Sequence, residues 1–249
     1  MSLTGESKVL LACLLRGYFI VAAYNNAGLQ NISFLYAIDP ALIFLHGQGP
    51  GLQAARLRYA RRYNCHPFFT PMFMGMLLRL EAAIAAGRIE AQALSGLTDT
   101  TANSLSAIGD SFFNGSLLVL WALASACLLL AGLPMAAVSL TVSGFALLQI
   151  LKAVGFMVAF RKGLHMLMLL RRMELIDWAE RLKAVNAVLL ALFLWLALPG
   201  AEARTADWLG AGLYLLAAGW IIGKMHKSRI IVALALLCLA VAVRIGDRF

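Results

Sequence analysis

The apolar stretches in the first third of the chain are short and interrupted. They span residues 9–23, 32–45 and 67–78, and none reaches the roughly 20 residues that a simple membrane-spanning helix requires. Segments of this kind lie at the membrane interface, re-enter the membrane or are covered by protein, because unpaired backbone cannot face lipid. The pattern therefore predicts a broken or re-entrant helical N-terminal half.

Further apolar runs, bounded by glycine, proline or charged residues, occupy the second half of the chain. They span residues 111–133, 134–160, 185–199, 208–223 and 230–243. We predict an all-α integral membrane protein in which about five transmembrane helices follow the broken half. The polar segment 81–103 is interpreted as a cytoplasmic connection. We accordingly place an amphipathic and re-entrant part at 1–104 and a transmembrane helical bundle at 105–249.

Basic residues are concentrated between the apolar runs. The chain of 249 residues is 62% hydrophobic and has 21 Lys and Arg against 12 acidic residues. A basic excess suits nucleic acid, but here it lies largely in loops such as 161–183 and 224–229, as is typical of cytoplasmic loops in membrane proteins. We therefore expect a lipid bilayer, and no nucleic acid, as a partner. The four arginines of residues 56–62 are likewise interpreted as part of a helix that faces lipid headgroups.

The stretch AIGDSFFNGS, residues 107–116, places a carboxylate at the entrance of an apolar run. A carboxylate beside hydrocarbon is costly, so it normally faces protein or a water-filled cavity. If the stretch is helical, Asp110 and Asn114 share one face with Ser111 beside them, and the three suit the hydroxyls of a polyol. The same residues also fit a helix start at the membrane surface, with Asp110 or Ser111 as its cap. The residues alone leave both interpretations open.

The remaining polar residues show no catalytic or metal-binding pattern. The four cysteines and four histidines are scattered, and no nucleophile with a paired base is recognisable, so we assign no catalytic residue, metal or cofactor. Lys152 lies inside an apolar run, where we expect its side chain to extend towards the interface instead of countering Asp110. Asp39 before Pro40 is interpreted as the cap of a turn or helix entry.

Three blocks of the sequence resemble one family. They are RGYFIVAAYNNAGLQNISFLYAIDP at 16–40, YNCHP at 63–67 and IGDSFFNGS at 108–116. In this order and approximate spacing they are similar to the signatures of the IID membrane subunit of the mannose/fructose/sorbose family of the phosphoenolpyruvate-dependent sugar phosphotransferase system. The chain departs from the family pattern at Ala27 and Gly28, where a Glu-Arg pair is usual. It also departs at Asn103 and Ser104, where a Gly-Pro pair is usual, and at Leu118 and Val119, where an Arg-Pro pair is usual.

The resemblance implies one subunit of a heteromeric, multi-pass transporter in the bacterial cytoplasmic (inner) membrane. Such a IID subunit joins a IIC subunit of similar fold to translocate a mannose-type hexose or amino sugar, which IIA and IIB proteins phosphorylate through histidines of their own. No histidine of this chain is then expected to carry the phosphoryl group. The departures from the pattern also allow a divergent membrane scaffold or regulatory partner that does not transport.

The resemblance also selects candidate substrate-binding residues. They are Asp110, Ser111, Asn114, Asn25, Gln30 and His66, with Asp110 as the leading one. Hydrogen bonding between helices is an equally good role for Asn25 and Gln30. His66 precedes Pro67, which disfavours helix at the histidine, so its ring either contacts sugar or donates to a carbonyl that the break exposes.

Overall fold

The computed structural model describes residues 3–198 and 205–224, which are predominantly helical. Contacts divide the chain into two units, Met1–Leu192 and Phe193–Phe249. Short 3-10 turns occupy Gly17–Phe19 and Ala91–Leu94, and a π-helical turn occupies Asp110–Leu117. The α-helices are α1 (Leu3–Arg16), α2 (Asn31–His46), α3 (Pro50–Tyr59), α4 (Thr70–Ala85), α5 (Ser95–Gly109), α6 (Leu118–Leu130), α7 (Pro134–Lys162), α8 (His165–Arg172), α9 (Leu175–Ala197) and α10 (Thr205–Lys224).

The three short apolar runs of the N-terminal part each form a short helix. Helices α1, α2 and α4 have 14, 16 and 16 residues, so each is shorter than a simple membrane span. The prediction of broken helices is therefore confirmed, and their re-entrant placement in the membrane remains a prediction. Tight turns at Gly47 and Gly49, both with positive φ, separate α2 from α3.

Among the described residues, two helices are long and apolar enough to cross a membrane. One is the continuous helix Gly96–Leu130 of 35 residues, formed by α5, the π-helical turn and α6, and the other is α7 with 29 residues. The predicted runs 185–199 and 208–223 also lie in helices, α9 and α10, whereas the run 230–243 lies outside the described residues. An all-helical fold with two membrane-length apolar helices is thus established.

The predicted connection at 81–103 is helical at both of its ends, and its cytoplasmic position remains a prediction. Glu81 lies inside α4, and residues from Ser95 onwards already belong to α5. The polar residues of α5 fit a helix because their hydroxyls bond within it: Thr98 donates to the Leu94 carbonyl at 2.7 Å, and Ser104 donates to the carbonyl four residues earlier. The division of the chain at residues 104 and 105 remains a prediction, and both residues lie within this helix.

Asp39 and Pro40 lie inside α2, so the predicted turn or helix entry is wrong. Proline has no N–H to donate to the carbonyl four residues earlier, that of Tyr36. Arg16 supplies a substitute donor, since its guanidinium reaches this carbonyl at 3.3 Å and also lies over the Tyr36 ring. Asp39 caps nothing and instead accepts two hydrogen bonds from Arg56, at 2.7 and 3.0 Å.

A buried carboxylate joins α2, α3 and α4. The Glu81 side chain is fully buried and accepts hydrogen bonds from Arg58 and from the hydroxyl of Tyr59 at 2.7 Å, and it lies 2.7 Å from Nε2 of His46. Burial and the neighbouring carboxylate raise the pKa of Tyr59 well above its usual value, so the phenol keeps its proton and donates. Two of the four arginines expected to face lipid headgroups, Arg56 and Arg58, therefore pair with carboxylates of this chain.

The central packing contact of the first unit joins α4 to α7. Most of α4 from Thr70 to Leu78 is buried, and a Cβ atom added at Gly75 would lie 2.3 Å from the Phe156 carbonyl oxygen of α7. Glycine at this position therefore allows two helix backbones to approach closely. Phe73 and Phe156, both almost fully buried, lie in the same core.

We expect Gly75→Ala to lower the thermal stability of the detergent-solubilised protein. The added methyl group meets a backbone oxygen that cannot rotate away, and overpacking of this kind costs about 1–3 kcal/mol. Thermal unfolding followed by intrinsic fluorescence is the measurement. Gly96→Ala is the matched control, because a Cβ atom there meets nothing within 4 Å. Equal melting temperatures for the two variants would contradict the close approach of α4 and α7.

A second prediction concerns the buried carboxylate. Glu81→Gln removes the charge that Arg58 faces, and breaking one partner of a buried pair typically costs about 3–5 kcal/mol. The corresponding change Asp39→Asn affects a pair with Arg56 that is partly exposed. We expect it to lower the free energy of unfolding by less than about 1 kcal/mol. Chemical denaturation of the two purified variants measures the difference. A smaller loss for Glu81→Gln than for Asp39→Asn would contradict the role of Glu81 in the core.

Candidate functional site

Asp110 begins a π-helical turn in the middle of the membrane-length helix. The wider turn is visible in its five-residue bonds: the Leu118 N–H donates to the Phe113 carbonyl, and the Ser116 hydroxyl donates to the Ser111 carbonyl at 2.9 Å. Because the helix begins well before Asp110, neither Asp110 nor Ser111 caps a helix start, and that interpretation is wrong. Turns of this type occur frequently at functional sites.

Asp110 and Asn114 form an exposed polar pair on this turn. The Asn114 amide donates to Asp110 Oδ1 at 3.1 Å, and the Asp110 side chain is 64% exposed. A carboxylate has more acceptor positions than this single bond uses, and the asparagine keeps its second amide hydrogen, whereas its oxygen faces the His66 ring. Ser111 lies next to Asp110 and is partly buried. The pair thus presents unused hydrogen-bonding groups at the point where the polar first part of the helix, residues 98–106, gives way to apolar residues.

His66 lies directly behind this pair. Its side chain is 3% exposed and is packed between Phe68 and Phe113, with ring centroids 5.5 and 5.2 Å away. Nδ1 of His66 accepts the Phe68 N–H at 3.3 Å, whereas the sequence suggests that the ring donates to a carbonyl. The neutral ring therefore has its proton on Nε2. Nε2 lies 3.9 Å from Asp110 Oδ1. Gly109 permits this contact, because a Cβ atom there would lie 2.3 Å from Cβ of His66.

Burial lowers the pKa of His66 below its usual value. Asn114 and the Asp110 charge act in the opposite direction, and the Lys152 charge acts in the same direction as burial. His66 is therefore neutral at physiological pH and presents an N–H to the side of the helix where Asp110 lies.

Asn25 and Gln30 hold a loop against the segment that carries His66. Asn25 accepts the Gly28 N–H at 2.7 Å and donates to the side chain of Asn31 at 3.1 Å, which closes a tight turn. Gln30 is 5% exposed, and its side-chain oxygen accepts the Cys65 N–H at 3.0 Å. These bonds join loops, not helices. The structure thus brings His66, Asp110 and Asn114 into one cluster, while Asn25 and Gln30 support it from behind.

Several polar contacts around the cluster involve residues that are not among the predicted site residues. Ser116 donates to the Ala179 carbonyl at 3.1 Å, and Asn186 donates to the Ser116 carbonyl at 2.9 Å, so both fix the π-helical turn to α9. Lys152 lies 4.6 Å from the centroid of the Phe68 ring and forms no ion pair with Asp110 among the described residues. An isolated polar residue inside an apolar run, as at Asn186, is the signal that indicates such contacts.

Residues 6–193 match the sequence profile of a family described as the PTS system mannose/fructose/sorbose family IID component. The chain belongs to this family. A IID component is a membrane part of a sugar transport system, which agrees with the two membrane-length helices and with the resemblance of the three sequence blocks.

One curated protein of the same kind is also similar in sequence to this chain. The chain is 26% identical to the fructose permease IID component of Bacillus subtilis (strain 168) over 126 residues, which are 50% of this chain and 46% of that protein. The match thus spans about half the length of the curated relative.

Two solved structures share the fold of this IID component. One is a chain described as a membrane protein, with a TM-score of 0.67, 18% identity, and coverage of 94% of this chain and 95% of that chain. The other comes from a cryo-electron microscopy structure of the mannose transporter ManYZ in complex with microcin E492, with a TM-score of 0.55, 19% identity and 94% coverage of both chains. At these identities the likeness concerns the fold.

The neutral state of His66 leads to a prediction. In the folded protein the His66 ring should titrate below the ordinary histidine value of about 6.5, because burial outweighs the favourable effect of Asp110 and Asn114. ¹⁵N-histidine NMR of the solubilised chain measures this, with His66→Gln assigning the signal among the four histidines. A midpoint at or above 6.5 would show that the Asp110 carboxylate holds a charged imidazolium instead.

Proposed function

We propose that this IID component forms a sugar permease with a IIC subunit in the bacterial cytoplasmic membrane. The permease translocates a hexose-type sugar, which IIA and IIB proteins phosphorylate as it emerges. The observation that supports this most directly is the exposed carboxylate of Asp110, which lies where the apolar part of a 35-residue, membrane-length helix begins. Facing lipid, this charge would be costly, so its exposed face requires a water-filled cavity or a partner protein.

The chemistry of the cluster suits a sugar. Asp110 accepts hydrogen bonds from hydroxyls, Asn114 offers its second amide hydrogen as a donor, and Ser111 adds a hydroxyl beside them. A buried site with these groups discriminates strongly against ligands that lack the matching hydroxyls. In this proposal Asp110, Asn114 and Ser111 contact the sugar directly.

Three further residues hold the Asp110 face in place without contacting the sugar. His66 supports Asp110 from behind with its Nε2 proton, and Gln30 fixes the backbone at Cys65, immediately before His66. Asn25 closes the loop that carries Gln30. A second anchor comes from Asn64, whose amide donates to Ser106 of α5 at 3.2 Å. Together these bonds keep the His66 ring against Gly109, so the Asp110 face has a rigid support.

The IIC subunit supplies the remaining wall of the cavity. Asp110 and Asn114 are exposed on the first unit of this chain, so the sugar is not enclosed by that unit alone. A partner of similar fold placed against this face would enclose the polar groups and remove them from lipid. This is why the proposal requires two membrane subunits rather than one.

The experiment is sugar uptake by membrane vesicles that contain this chain and the IIC protein encoded beside it, supplied with IIA, IIB and phosphoenolpyruvate. Candidate hexoses and amino sugars are tested in turn. Sugar phosphate that accumulates only when this chain is present supports the permease. No accumulation from an assembled complex would instead favour a scaffold that has kept the fold without transport.

Asp110→Asn tests the site within that assay. We expect uptake to fall by about tenfold or more while the complex still assembles, because hydrogen bonds to a charged group contribute about 1.5–3 kcal/mol. Glu180→Gln is the control, since Glu180 is an exposed carboxylate that pairs only with Lys183 among the described residues. Unchanged uptake by Asp110→Asn would remove Asp110 from the sugar site.

A further inference from the structure

Helix α7 has a polar face inside its apolar sequence. Gln149 and Lys152 are three residues apart, so they lie on the same side of the helix. Both are partly exposed, and the positions around them, such as Ile150 and Leu151, are apolar. Two adjacent polar side chains within a membrane-length helix normally face protein or a water-filled cavity.

The side chains of this face are held in place by aromatic residues. The Tyr18 hydroxyl donates to the Gln149 side-chain oxygen at 2.8 Å, which leaves the two amide protons of Gln149 for another acceptor. The Lys152 ammonium lies 5.0 Å from the centroid of the Tyr18 ring and 4.6 Å from that of Phe68. Among residues 3–198 and 205–224, no carboxylate lies within ion-pair distance of this ammonium.

Phe68 connects this face to the Asp110 cluster. Its ring packs on His66 at 5.5 Å and on Phe113 at 4.7 Å, and His66 lies next to Asp110. Phe68 therefore lies between Lys152 on one side and, on the other, His66, which is next to Asp110. Sites for small ligands combine apolar and aromatic walls with a few placed polar groups in this way.

The two polar faces also lie at the same depth. Helices α6 and α7 are joined by the short connection 131–133, so their ends at Leu130 and Pro134 are level. At about 1.5 Å per residue, Asp110 lies ~30 Å from Leu130 and Lys152 lies ~27 Å from Pro134 along the respective helix axes. A ligand of sugar size that contacts Asp110 is therefore at the level of Lys152.

We propose that Gln149 and Lys152 form a second wall of the sugar site, with Phe68 as the apolar surface between this wall and Asp110. The proposal rests on the permease function. The two walls are complementary: Asp110 accepts hydrogen bonds from sugar hydroxyls, whereas the Lys152 ammonium and the Gln149 amide donate to sugar oxygens. An ion pair between Lys152 and a IIC carboxylate would satisfy the charge, but it would give no role to the Tyr18–Gln149 bond.

The test uses the full complex of this chain with its IIC partner, in the vesicle uptake assay, with co-purification of IIC as a second readout. Lys152→Met and Gln149→Leu should each raise the KM for the transported sugar by about tenfold or more, with IIC retained. Tyr18→Phe, which loses only the bond that orients Gln149, should raise KM by a smaller factor. Lys162→Met, at the polar end of the same helix, should leave KM unchanged.

Three results would overturn the inference. An unchanged KM in Lys152→Met, in a complex whose wild type transports, would remove Lys152 from the site while leaving the permease function intact. Loss of IIC from the purified complex in Lys152→Met, but not in Lys162→Met, would assign Lys152 to an ion pair with the partner. A wild-type complex that neither transports nor binds any sugar would instead refute the proposed function, and the second wall with it.

Discussion

The cost of placing charge in an apolar environment organises this molecule. Glu81, Asp110 and Lys152 all lie in apolar surroundings, but they are treated differently. The Glu81 carboxylate is buried and is paired within the chain with Arg58, Tyr59 and His46. These contacts offset the cost of removing its charge from water. Asp110 and Lys152 keep partly exposed charges with no ion pair to each other. The fold therefore leaves charge available at the surface where a ligand and a second subunit can use it.

The π-helical turn lies in a helix of membrane length and carries the residues that we propose to contact the sugar. Its inner side is fixed, because the buried Ser116 donates to Ala179 and accepts, through its carbonyl, the amide of Asn186. Its outer side carries Asp110 and Asn114. His66 packs against Gly109 at the start of the turn, where a side chain would collide with the ring. The polar face is thus held from two directions while the helix remains continuous.

The sequence predicts the helical class and the short N-terminal helices, and two of its five predicted spans, 111–133 and 134–160, coincide largely with membrane-length helices among the described residues, because these features follow from local apolar patterning. The sequence does not predict the features that depend on tertiary contacts. The bond from Arg16 to the Tyr36 carbonyl lets Pro40 lie inside α2, and the pairing of Arg58 with Glu81 joins residues 23 positions apart. The π-helical turn is also invisible in the sequence, since five-residue bonds leave no residue pattern comparable to helical periodicity.

One departure from the family pattern, at Ala27 and Gly28, lies in the supporting loop, whereas the departures at Asn103–Ser104 and Leu118–Val119 lie on the helix that carries the polar face. In the loop the chain closes its turn with neutral groups: Asn25 binds Gly28 and Asn31, and the Gly28 carbonyl accepts the Tyr63 N–H at 3.1 Å. A Cβ atom at Gly28 would lie 2.3 Å from the Asn31 side chain, so the amide occupies the space that a larger residue would need. Through Gln30 and Cys65 this loop still reaches His66. In this chain the loop therefore supports the groups proposed to meet the sugar without a Glu-Arg pair.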